Sequence, residues 1–249
     1  MERYFDVNWT GPAFDLFGPA HLTIVGLFAL LATAMIVAGR RGPAERKDLI
    51  RRTFGALMLL NEAGTHVWKV SYGTWAVEES LPLQLCGAMA WISGSTLLFG
   101  WKKLWPMLYF FGVGGAVQGV ITPNATQYGF PHYQMIETIF AHSALVVAGL
   151  WVVLVEGYRP TLRQFFTIFL GLNVAALVMY FVNLGLGSNY LFVNAKPPDA
   201  SIIDAMPEWP YYIPILEVIA FVQFGVLYLP FARRGTGEVP APARSGVRS

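Results

Sequence analysis

Seven separate apolar runs, each long enough to cross a bilayer as a helix, constrain this chain more than any other feature. About 20 residues at helical rise span roughly 30 Å of hydrocarbon. The runs cover residues 21–39, 49–72, 81–99, 104–121, 133–155, 162–186 and 211–229. The expected fold class is all-α: a polytopic membrane protein built as a seven-transmembrane-helix bundle. Composition agrees, since 55% hydrophobic and 13% charged residues in a chain of 249 leave too little charged surface for a soluble domain. Trp and Tyr gather near the ends of the runs, where an interfacial belt would hold them. Residues 1–20 contain Asp6 and Asp15 and lack the apolar core of a signal peptide, so the first run is expected to stay in the mature protein.

Lys and Arg in short loops are retained on the cytoplasmic side. Here fourteen of them alternate onto one side, from Arg40 and Arg41 through Lys102, Lys103, Arg159 and Arg163 to Arg233 and Arg234 and the tail, against Arg3 and Lys196 on the other. The parity suits seven spans with the N-terminus outside and the C-terminus cytoplasmic, in a cell membrane. The same placement accounts for the net charge of +2 without nucleic acid as a partner. Residues 1–234 read as one transmembrane domain, and 235–249, mixing Pro, Gly, Arg and Ser, as a disordered cytoplasmic tail. The outer connection 187–210 is expected to fold over the mouth of the bundle.

Ionisable groups at membrane depth are costly and are functional candidates by default. In the second run Glu62, His66 and Lys69 lie within about 60° on one helical face. This stripe admits two readings: a hydrogen-bonded ion-pair network holding the helix, or a substrate-binding face. In the fifth run Gln134, Thr138 and His142 follow at steps of four, with Glu137 flanking. Asn173, Tyr180 and Glu217 in the last two runs read as interhelical hydrogen-bonding groups.

Cys86 is the sole cysteine, which excludes an intrachain disulfide and a thiolate metal cluster. Ser80 and Pro82 look like a helix start, placing Cys86 in the second turn, roughly 7 Å below the helix end, and His142 roughly 14 Å below its own. A free Cys is commonly a small buried hydrophobe. Paired with His142 it becomes a nucleophile, because a thiol attacks a carbonyl only as thiolate and an imidazole can generate it. No metal or organic cofactor is expected.

At these residues the chain resembles the YwaF-like bacterial integral membrane proteins, a family that includes the animal transmembrane protein 164. The matching pieces are LPLQLC ending at Cys86, YFFGVGGAVQGVITPN from Tyr109 to Asn124, FPHYQMIETIFAH ending at His142, and GSNYLFVNAKP followed by WPYYI. The animal member is similar to a lipid acyltransferase with a membrane cysteine and histidine. By that resemblance Cys86 and His142 are the catalytic pair, and membrane lipids are the substrate or ligand. Glu62, His66, Lys69, Gln134 and Thr138 would bind the substrate, with Asn124 or a backbone amide as oxyanion donor. The competing expectation is a transporter or small-ligand sensor working through the polar residues of the second and fifth runs.

Overall fold

The computed structural model describes residues 2–123, 127–198 and 202–232, and among these every regular element is helical. The helices are α1 (Pro19–Arg41), α2 (Ala44–Ser71), the short α3 (Val77–Ser80), α4 (Leu85–Phe99), α5 (Lys102–Ile121), α6 (Tyr133–Leu154), α7 (Leu162–Leu186) and α8 (Tyr212–Ala232). Five of them, α1, α5, α6, α7 and α8, are long and apolar enough to cross a membrane. The two other expected spans differ. α2 opens with Glu45, Arg46, Lys47 and Asp48, and α4 has 15 residues. The expected tail at 235–249 and Asn124 lie outside the described residues.

Local chemistry sets the helix ends. Pro19 stands in the first turn of α1, where its missing N–H costs no hydrogen bond. Thr161 and Gln164 form a reciprocal capping box at the start of α7. Gly100, in the left-handed region at φ 78°, closes α4. The Arg51 guanidinium donates to the Leu97 carbonyl beside that end, placing a cation at the negative pole of α4.

Two glycine crossings bring helices together closely enough to leave no room for a methyl group. A Cβ on Gly55 of α2 would lie 2.6 Å from the Gly94 carbonyl oxygen of α4. One on Gly149 of α6 would lie 2.6 Å from the Leu108 oxygen of α5, and one on Gly112 of α5 would lie 2.4 Å from the Leu145 oxygen. Small residues at such crossings let backbones approach, as in membrane helix pairs generally. α5 widens into a π-helix over Leu108–Gly115 where it meets α6. The core sits around α6: Leu145, Ala148, Trp151 and Val152 pack with Leu108 and Phe110, all buried. α7 and α8 turn apolar side chains outward, with Leu170, Leu177 and Phe181 each more than 60% exposed, a surface suited to hydrocarbon and not to water.

Candidate functional site

The approach to α4 is fixed from the far end of the chain. Tyr190, fully buried, donates its hydroxyl to the Val77 carbonyl at 2.6 Å and accepts from the Leu81 amide at 2.9 Å. The next residue, Leu191, donates its amide to Gln84 Oε1 at 2.9 Å. Asn183 at the end of α7 holds this loop by donating to the Tyr190 carbonyl and accepting from the Tyr190 amide. The connection after α7 therefore folds over the start of α4, as its position and composition suggest.

Gln84 is the extended residue before α4, and its side chain is committed to Leu191, so no side chain caps the helix. The first intrahelical bond runs from the Ala88 amide to the Gln84 carbonyl at 2.9 Å. The amides of Leu85, Cys86 and Gly87 precede it and have no acceptor within the helix. Cys86 is thus the second residue of α4, in its first turn, which corrects the expectation of a second-turn position. Pro82 lies in the turn before the helix. The shift matters because the helix N-terminus favours a thiolate only within that turn.

His142 lies two turns into α6. Its Nδ1 is 2.8 Å from the Thr138 carbonyl oxygen, which can only accept, so Nδ1 carries the proton and Nε2 is left as the acceptor. The Cys86 thiol is an electrostatic neighbour of this imidazole. The difference of roughly 7 Å in expected depth does not keep the two residues apart. On the α5 side Gly119 makes the space for the ring: a Cβ there would sit 2.0 Å from Cδ2 and 2.5 Å from Nε2.

Glu137, 7% exposed, is the hub of the polar groups around the pair. It accepts from Asn61 Nδ2 at 2.9 Å and Gln134 Nε2 at 3.1 Å, with the Thr138 hydroxyl at 3.4 Å, and it is an electrostatic neighbour of His142. Gln134 also donates to Thr138 at 3.2 Å. Glu62 sits beside Gly87 in the first turn of α4 and interacts through space with Glu137, Lys69 and His142.

The stripe on α2 divides. His66 Nε2 lies 3.8 Å from Glu62 while its Nδ1 accepts from Trp75 Nε1 at 3.2 Å, and Lys69 turns to Ser80 at 3.4 Å. The structure thus gathers Cys86, His142, Glu62, Gln134 and Thr138, and leaves His66 and Lys69 at the rim. Glu137, read from the sequence only as flanking, is central here. Sequence reasoning missed two residues: Asn61 adjoins a residue it named, whereas Gly119 carries no local signal, because its role exists only against another helix.

No curated protein and no solved structure matches the chain. Residues 16–228 match the TMEM164 family. With a match over most of its length and several membrane-crossing helices, this multi-pass membrane protein belongs to the TMEM164 family.

Proposed function

We propose that the protein is a membrane-embedded acyltransferase or acyl-ester hydrolase that works through a thioester on Cys86. α2 and α4 complete seven spans, with the N-terminus outside and the C-terminus cytoplasmic, in keeping with the basic loops. The observation that carries the reading is a first-turn thiol beside an imidazole whose Nε2 is free to accept.

His142 Nε2 takes the thiol proton, and the Cys86 sulfur attacks the carbonyl carbon of an acyl ester. The amides of Leu85, Cys86 and Gly87 face the developing oxyanion, the task for which Asn124 was the side-chain candidate. As the intermediate collapses, the C–O bond breaks and the leaving alcohol takes the proton from the imidazolium. A second hydroxyl, from a lysolipid or water, gives its proton to His142 and attacks the thioester, and the released thiolate takes that proton back from the imidazolium. Glu137 stabilises the transient imidazolium through a medium of low dielectric. Glu62 and Gln134 bind the lipid head group, with His66 and Lys69 at the rim.

Incubating folded protein with an activated-ester lipid probe and locating the adduct by peptide mass spectrometry tests this. Label is expected on Cys86, none in Cys86→Ser, and a loss of about a hundredfold in His142→Ala, within the range of general-base contributions. Absence of label from folded wild-type protein would instead favour ligand sensing or transport through the linked Glu62, Glu137 and His142.

A further inference from the structure

Beside the first turn of α4, with no α6 residue in its lining, lies a cavity of about 280 Å³ bounded by α4, α5 and α7. Leu85, Ala88 and Met89 form its α4 wall, Phe111 closes the α5 side, and Gly171 and Ala175 lie on α7. Among all its lining residues only Thr167, near one end of the α7 wall, carries a polar side-chain atom. A head group or a polar solute would lose its hydrogen bonds there.

The α7 wall runs from Thr167 to Met179, which at helical rise is about 18 Å, more than half the hydrocarbon thickness. Pro82, Leu83 and Leu191 flank the opposite end, the end at which α4 begins. Side chains on a helix tilt toward its N-terminus, so the Cys86 sulfur is directed to that same end. The free amides of the first turn lie there too.

We infer that this cavity holds one hydrocarbon chain of the acyl donor, with the ester carbonyl resting over the start of α4 between the cavity and Cys86. The inference rests on the acyl-transfer reading and adds to it a site for chain selection. Gly171 offers a clean way to block the cavity, because a Cβ built there meets nothing within 4 Å, so a larger side chain enters without moving backbone. Gly185, on the same helix but outside the cavity, has equally open surroundings and serves as the control.

Full-length protein in nanodiscs would be labelled with an acetyl and a palmitoyl nitrophenyl ester, and the Cys86 adduct followed over time. Gly171→Leu is expected to slow palmitoyl labelling at least about tenfold, the effect of losing contact along several methylene groups. Acetyl labelling is expected to stay within about twofold of wild type, and Gly185→Leu to alter neither rate. Palmitoyl labelling of Gly171→Leu at the wild-type rate, with acetyl labelling intact, would overturn the chain site and leave the acyl-transfer reading standing. Failure of both esters to label wild-type Cys86 would overturn the acyl-transfer reading and the chain site with it.

Discussion

At position 119 a hydrogen atom stands where any other residue would place a carbon 2.0 Å from the His142 ring. The imidazole cannot yield toward α6, because its Nδ1 is tied to the Thr138 carbonyl on its own helix. Gly119→Ala therefore has two ways out, to push the ring away from Cys86 or to part α5 from α6. Overpacking of this kind costs about 1–3 kcal/mol. The expected outcome is a fall of at least about tenfold in acyl labelling of Cys86, with thermal unfolding lowered by about 2–12 °C. Labelling at the wild-type rate would show that the ring does not need its present place. The other residues of the site divide by what they can do. Glu137 is held by neutral donors, whereas Thr138 meets His142 through its backbone carbonyl, so replacing the Thr138 side chain leaves the tautomer of His142 unchanged.

Among the elements, α6 gains a device at its start that its apolar pattern does not reveal. His132, fully buried, caps the helix by accepting from the Gln134 amide on Nδ1 at 3.1 Å, and its Nε2 lies 3.2 Å from the Asp6 carbonyl oxygen. Trp68 Nε1 donates to the Phe5 carbonyl at 2.7 Å and the Tyr128 hydroxyl to the Val7 carbonyl at 3.2 Å, so the segment before α1 is laced onto α2 and the start of α6. Burial holds the His132 imidazole below the ordinary histidine range, against a smaller upward pull from Asp6. The folded state therefore binds fewer protons here than the unfolded state, and stability rises with pH. His132 costs nothing above the ordinary histidine value of about 6.5, and stability falls as pH drops through it. Thermal unfolding of wild type should decline between about pH 8 and about pH 5 more steeply than that of His132→Asn, which keeps a capping side chain without the titration. Parallel pH profiles would refute the assignment. The start of α4 is the complementary case. Its residues look like a helix beginning near Pro82, and the true boundary at Leu85 depends on Tyr190 and Leu191, more than a hundred residues later.

For the molecule as a whole, the apolar runs were legible because hydrocarbon selects long stretches of one character, and each stretch keeps that character whatever its neighbours do. The runs reappear as helices, five with the length and composition of a span. What was not legible is which faces meet. Cys86 and His142 were identifiable as chemistry, while their proximity arises from the packing of α4 against α6, which no local pattern records. The proposed topology has its own test, since Cys86 is the chain's one thiol and is half-buried near the outer end of α4. A membrane-impermeant maleimide added outside intact cells should label the protein, and labelling only after the membrane is opened would reverse the orientation. The π-helical stretch Leu108–Gly115 carries a consequence of another kind. Gly119 reaches His142 only because the residues before it set its rotation about the α5 axis, and one residue more or fewer would turn it away by about 100°. Drift in evolution can thus exchange side chains along this stretch freely so long as they fit, but a gained or lost codon there would dismantle the site without touching any residue that performs its chemistry.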